Sequence, residues 1–267
     1  MLITGERINA TNKRVAQAIR ERDTLFIQDL ARAQIAAGAD SLDVNAGAGG
    51  SDSEEEIMEW LIDTVQATSN KPLVIDSADP KVVEAGLRRC RDRTVTINSI
   101  TAEAERLEAF SPLVATYDAE VIALAMDESG IPDSVEGRIN ACDQILKRLS
   151  AHGIPLHKIL FDPAVLPISI NSELGVIALN TLRQLKSRYP GARTTLGLSN
   201  ISYGLPNRTI VNQLFLIMAM YAGLDAAIVD PLDSRLANSI KVGEMLLGRD
   251  PFCKDYLAAH RRGAFKE

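Results

Sequence analysis

Pro72-Leu73-Val74-Ile75-Asp76-Ser77-Ala78-Asp79-Pro80 holds one full instance of the plan that repeats along this chain. Its apolar run reads as a short buried strand, and Asp76-Ser77 closes that run with polar groups. Asp79-Pro80 then supplies a cap residue and a first-turn proline to a following helix. The same order of events recurs on both sides. Apolar runs close on Gly5-Glu6 and Asp43-Val44-Asn45 upstream, and on Asn98-Ser99, Met126-Asp127, Asp162-Pro163, Ser199-Asn200 and Asp230-Pro231 downstream. The unit is roughly 30 residues long. It predicts strands over 2–4, 40–45, 72–76, 94–98, 120–125, 158–162, 194–198 and 225–229. One polar strand end is ordinary. A polar end on every strand predicts an α/β fold of the (β/α)8 TIM-barrel type, in which the C-terminal rim and the βα loops build one ligand site.

Helix signals between the strands agree. Ser51 with Glu54 three residues on has the capping-box pattern, and Ile57, Met58, Leu61, Ile62 and Val65 then form one apolar face. Asp233 precedes Leu236 and Ile240 in the same capping role. Gly38, Gly153 and Gly223 fall shortly before strands, where helix ends favour glycine. A doubly wound open sheet shares the alternation, but its polar strand ends would cluster at one switch point. No linker or composition shift divides residues 1–267, so one domain is expected.

Bulk properties narrow the function. The chain is 46% hydrophobic and 24% charged, which suits a soluble domain able to bury a full core. A net charge of −6 and a pI near 5.3 argue against a nucleic-acid partner. The longest apolar stretch, Leu214 to Tyr221, is far short of the ~20 residues of a membrane span. Met1-Leu2-Ile3-Thr4-Gly5-Glu6 carries neither the basic nor the apolar region of an export signal. Cys90, Cys142, Cys253, His152, His157 and His260 show no metal-ligand spacing. The expectation is a reduced, cytoplasmic protein that binds no metal and no membrane.

Asp76, Asn98 and Asp162 are the most informative residues. Closure of the barrel would aim all three into one pocket. Carboxylates accept hydrogen bonds, while a carboxamide both donates and accepts. Together they suit a ring with an amino group and a ring N–H beside a carbonyl, such as a pterin or guanine; the bland alternative is that the acids cap helices. Glu6-Arg7 and Asp43-Val44-Asn45 suit either an ion-pair network ordering the rim or ligand contact. Asp127 and Asp230 read as loop or cap residues. Gly197 lets a group approach the backbone closely, and Asn200 presents an amide at the rim. Arg208 is a candidate for holding an anionic tail or for pairing with a surface acid. Asn45-Ala46-Gly47-Ala48-Gly49-Gly50 lacks the Lys-Ser/Thr and the spacing of a phosphate loop, and acids follow it. Trp60 and the Met and Phe residues of 214–220 read as helix faces packed on the barrel.

Taken in order, Gly5-Glu6-Arg7-Ile8-Asn9, Leu42-Asp43-Val44-Asn45, Ile75-Asp76-Ser77, Ile97-Asn98-Ser99, Phe161-Asp162-Pro163, Gly197-Leu198-Ser199-Asn200 and Asn207-Arg208 carry a resemblance. The chain resembles the methyltetrahydrofolate–corrinoid protein methyltransferases, relatives of the folate module of cobalamin-dependent methionine synthase and, more distantly, of dihydropteroate synthase. That resemblance implies a pterin-binding barrel whose substrate is 5-methyltetrahydrofolate, and whose partner is a separate protein carrying the corrinoid (cobalamin). It also implies that Asp76, Asn98 and Asp162 hydrogen-bond the pterin, that Asn200 sits near N5 and that Arg208 helps place the substrate. Gly197 and Ser199 match positions lining the same pocket, with Glu6 and Asp43 beside it. A homodimer is the family expectation. Ser202-Tyr203-Gly204 departs from the Ser-Gln of acetogen enzymes and resembles the aromatic-glycine version in methionine synthase, which leaves open which corrinoid protein is the partner.

The chemistry implied has one requirement. A methyl group leaves a tertiary amine readily only if N5 is protonated or hydrogen-bonded, and the Asn200 amide can donate to N5 or accept from N5–H. No side chain stands out in the sequence as a proton source. Two other readings stay in view. One is a dihydropteroate-synthase-like enzyme, which would need a basic phosphate site. The other is a noncatalytic pterin-binding or docking subunit of a corrinoid methyltransferase complex.

Overall fold

Parallel strands β1 (Leu2–Asn9), β2 (Ser41–Asn45), β3 (Leu73–Asp76), β4 (Val95–Ile100), β5 (Glu120–Leu124), β6 (Ile159–Asp162), β7 (Arg193–Thr194) and β8 (Ala226–Val229) are hydrogen-bonded in the order β7-β6-β5-β4-β3-β2-β1-β8. The computed structural model describes residues 1–47 and 53–265. The ring nearly closes where the chain after β7 meets β8: Ile228 N donates to Leu196 O at 2.9 Å, beside a bridge between Gly197 and Ile228. The helices are α1 (Lys13–Arg20), α2 (Thr24–Ala36), α3 (Glu54–Gln66), α4 (Pro80–Arg89), α5 (Ala104–Thr116), α6 (Val135–Ala151), α7 (Leu174–Arg188), α8 (Arg208–Ala222), α9 (Ser234–Leu246) and α10 (Lys254–Arg261). This is the expected (β/α)8 barrel.

Alternation along the strands sets a small cluster apart from the larger core clusters. Val74, Ile122, Leu160 and Ala226 form one small cluster, while the flanking Leu73, Ile75, Ile97, Val121, Ile159 and Phe161 pack into a larger one that includes residues of α3, α4 and α6. Each large apolar side chain so buried contributes roughly 1.5–3 kcal/mol. On α8, Phe215 and Met220 are buried as expected, but Met218 is half exposed, together with Leu214 and Tyr221, so that helix turns a second apolar stripe outward.

Local signals set the helix ends. Asp79 accepts from Lys81 N at 2.8 Å ahead of Pro80, and Asp233 accepts from Arg235 N at 3.0 Å. Gly38, Gly153 and Gly223 take positive φ angles. The capping box of α3 lies two residues later than the Ser51/Glu54 pairing. Ser53 Oγ accepts from Glu56 N at 3.2 Å and Ser53 N donates to Glu56 Oε2 at 3.3 Å. Glu54 is drawn away to accept from Ser77 Oγ at 3.0 Å, and Ser51 lies outside the described residues, as do Ala48, Gly49 and Gly50.

Two strands differ from the sequence reading in ways that build the rim. β1 runs to Asn9 because it carries an irregularity: its register against β2 shifts between Gly5 and Ile8, after which Ile8 pairs with Val44. The Arg7 N–H released from the ladder is taken by Gln34 Oε1 at 3.0 Å, a fully buried acceptor on α2. A Cβ on Gly5 would stand 2.5 Å from that same oxygen, so the approach requires glycine. Such bulges re-aim side chains beside active sites, and this one turns Glu6 and Arg7 to the rim. β7 stops after Thr194, because the chain coils into a short 3-10 turn over Leu198–Asn200.

Candidate active site

Asp43, Asn45, Asp76 and Asn98 form two hydrogen-bonded side-chain pairs on strands β2, β3 and β4 at the C-terminal rim. Asn45 pairs with Asp76 across β2–β3, and Asp76 with Asn98 across β3–β4. Asn45 Nδ2 donates to Asp76 Oδ2 at 2.9 Å and Asn98 Nδ2 donates to Asp43 Oδ1 at 3.1 Å. Asp162 ends β6 at the same rim but joins no side-chain bond with this group. Its Oδ1 accepts from Ala164 N at 2.8 Å, and the Gly197 N–H also bonds its carboxylate.

Electrostatics mark the same residues. Loss of solvent is the first cause of a raised carboxyl pKa at Glu6, Asp43, Asp76 and Asp162. Asp43 is held well above the ordinary range, with the Asp76 charge adding to burial and the Asn98 bond opposing it. Asp162 is pushed up to about 7 by burial, against the Ala164 and Gly197 N–H groups and the Arg138 charge. Four half-buried or buried acceptors, supplied with few donors by the protein itself, form a surface that favours a ligand rich in N–H groups.

A second group lies on β1, on the turn that follows β7 and on α8. Ser199 Oγ donates to Glu6 Oε1 at 2.9 Å. Arg208 donates from Nη2 to Ser199 O at 2.6 Å and from Nε to Ser202 Oγ at 3.0 Å. Arg208 therefore pairs with no acid among the described residues; it straps the turn that carries residues 199–202. Arg7 bridges to Asp230 at 3.2 Å, an acid that the sequence reading took for a loop or cap residue, and Asp127 holds its own turn by accepting from Ser129. Asn200 is exposed at the rim. A Cβ on Gly197 would lie 3.2 Å from its Nδ2, so the glycine leaves room for the amide to fold back.

A cavity of about 500 Å³ opens here, lined by Glu6, Arg7, Asn9, Ser199, Arg208, Asn212 and Asp230 among others. Asp43, Asp76, Asn98 and Asp162 stand outside that lining. Among the described residues, no group of three or more His, Cys, Asp or Glu side chains is arranged to hold a metal ion, and no helix is long and apolar enough to cross a membrane.

Sequence reasoning missed Arg138. It is fully buried on α6 and donates to Pro132 O, Pro163 O and Ala164 O at 2.9, 2.8 and 3.0 Å, bracing the loop behind Asp162. The signal was present: Arg138, Cys142, Ile145 and Leu149 share one buried helical stripe, and a lone arginine in such a stripe needs partners.

Residues 5–230 match the family described as "Pterin binding enzyme". The chain belongs to the pterin binding enzymes. It is 34% identical over 265 residues to the methylcorrinoid:tetrahydrofolate methyltransferase of Eubacterium limosum, covering 98% of this chain and 97% of that protein. It is also 34% identical over 242 residues to the methionine synthase of Mycobacterium leprae, covering 86% of this chain but 20% of that much longer protein. Solved dihydropteroate synthases share the fold. The Vibrio fischeri enzyme superposes with a TM-score of 0.69 at 15% identity, covering 94% of each chain, and the Thermus thermophilus enzyme with 0.67 at 18% identity, covering 92% and 94%. The resemblance read from the motifs is thereby borne out at the level of the family.

Proposed function

We propose that this protein is a one-carbon transferase that moves a methyl group between N5 of tetrahydrofolate and the cobalt of a corrinoid carried by a separate protein. The observation that carries this reading is the rim group of Asp43, Asn45, Asp76 and Asn98, with Asp162 beside it, in a chain alike end to end with a methylcorrinoid:tetrahydrofolate methyltransferase. The pterin offers an amino group and ring N–H donors, and Asp76 and Asp162 are the acceptors for them; Asn98 meets the neighbouring carbonyl. Residues 1–267 act as a single domain in this reading. Asp43 orients Asn98, as Asn45 orients Asp76. Glu6, Ser199, Gly197 and Arg208 shape the adjoining wall, and Asn200 is the group that hydrogen-bonds N5 as its methyl bond is made or broken. The corrinoid, when delivered, supplies the cobalt that accepts or gives the methyl group.

The direction named for the Eubacterium limosum relative runs from methylcorrinoid to tetrahydrofolate. The same residues serve both directions. The test is methyl transfer by the purified protein between methyltetrahydrofolate and free cob(I)alamin, followed by the loss of cob(I)alamin absorbance. Turnover is expected; tight pterin binding without turnover would favour a docking subunit instead.

A further inference from the structure

We propose that the Glu6 carboxyl, acting through the Ser199 hydroxyl, is the proton source and sink for the pterin amine at which the methyl group is exchanged. This rests on the methyltransferase reading above and adds the step that reading lacks.

The geometry is specific. The irregularity in β1, backed by Gln34, turns Glu6 inward, where it accepts from Ser199 Oγ at 2.9 Å. Ser199 adjoins Asn200, and its own backbone is fixed by the 2.6 Å bond from Arg208. Glu6 and Ser199 both line the cavity of about 500 Å³, which gives the carboxyl access to water for exchange. The other rim acids are committed elsewhere: Asp43 to Asn98, Asp76 to Asn45, and Asp162 to the Ala164 and Gly197 N–H groups. A hydroxyl donates and accepts at once, so Ser199 can pass a proton in either direction.

The surroundings of Glu6 raise its pKa above the ordinary carboxylate range. Burial raises its pKa most. Asp230 beyond β8 raises it further, the Ser199 bond, Arg7 on β1 and Arg208 on α8 lower it, and Asp43 on β2 also faces it. A poised acid is what general acid catalysis needs.

The step balances in both directions. From methyltetrahydrofolate, N5 takes the proton that Glu6 gives through Ser199. The N5–methyl bond then breaks with its electron pair remaining on nitrogen, while the methyl carbon bonds to the electron pair of the Co(I) acceptor. Glu6 recovers a proton from cavity water. In the reverse direction, N5 attacks the methyl carbon while the cobalt–carbon bond of the methylcorrinoid substrate breaks with its electron pair left on cobalt, and the N5 proton passes through Ser199 to the Glu6 carboxylate.

Single-turnover transfer between methyltetrahydrofolate and cob(I)alamin across pH, for wild type, Glu6→Gln and Ser199→Ala, tests this, with calorimetric binding of methyltetrahydrofolate alongside. Both variants are expected to change methyltetrahydrofolate affinity far less than the transfer rate, which should fall about 10²-fold, and to move the pH inflection to that of N5 in free methyltetrahydrofolate. Ser199→Ala leaves the carboxyl in place, so it decides the matter even where Glu6→Gln misfolds. A wild type that transfers beside variants with the wild-type inflection overturns the relay alone. A wild type that neither binds nor transfers overturns the methyltransferase reading, and the relay with it.

Discussion

Asn98 on β4 donates to Asp43 on β2 at 3.1 Å, reaching past the strand between them. On that intervening strand, Asp76 is met by Asn45 at 2.9 Å. Each acid is thus held by one amide of its own chain. That is a preorganised acceptor surface, whose orientation is fixed before a ligand arrives.

Replacing Asp76 tests that surface. Asp76→Ala strands the Asn45 amide and removes an acceptor from ligand donors, so methyltetrahydrofolate binding should weaken by roughly 1–3 kcal/mol. Isothermal calorimetry on the folded variant measures this, and unchanged affinity would remove Asp76 from the pterin site.

The barrel was legible in the sequence because its apolar runs are followed by polar groups and several helices carry their own capping residues. Asp79-Pro80 and Gly223 behave as local chemistry dictates. What was not legible is contact across the barrel. Glu6 and Ser199 are 193 positions apart, and no local pattern announces that a bulge in β1 brings them together. Ser51 and Ser53 offer the same capping pattern with Glu54 and Glu56, and the choice between them turns on Glu54 finding Ser77 on the next unit. The Arg208 strap needs the turn over 198–200 to be known first.

Acid titration gives the second prediction. Burial raises the folded-state pKa of Asp162 from the ordinary carboxylate range to about 7. The folded protein therefore binds more protons than the unfolded chain within that window, so its stability is fully present below the ordinary range and is lost as pH rises to about 7. Glu6, Asp43 and Asp76 act in the same direction. The Tm of the unliganded protein should fall between pH 5 and pH 8. Asp162→Asn should flatten that slope, and scanning calorimetry across pH would show it; an equal slope in the variant would mean that Asp162 is ionised in the fold.

Arg138 carries a stability prediction. Arg138→Met keeps length and removes donors from three carbonyls, two of them in the loop that follows Asp162. At about 1–3 kcal/mol for each buried group left unpaired, the loss should reach roughly 3 kcal/mol or more. A denaturant midpoint shifted by less than a third of that would show that the loop finds other donors.

The last prediction separates Asn200 from the binding surface. Asn200→Ala should lower kcat more than it raises KM, because a hydrogen bond that strengthens only as N5 changes its charge acts on the transition state. Gly197→Ala approaches the same amide from beneath. Gly197 has φ −79, a conformation alanine adopts freely, so stability should hold or rise by about 0.4–1 kcal/mol. Its new Cβ would stand 3.2 Å from Asn200 Nδ2 and push the amide off its position. Gly197→Ala should then reproduce the kcat loss of Asn200→Ala in a fully stable protein. The double variant should be no slower than Asn200→Ala alone, since both changes remove one interaction. Steady-state kinetics with the three variants measure this; additive losses would mean that Gly197 serves the site by contacts other than Asn200.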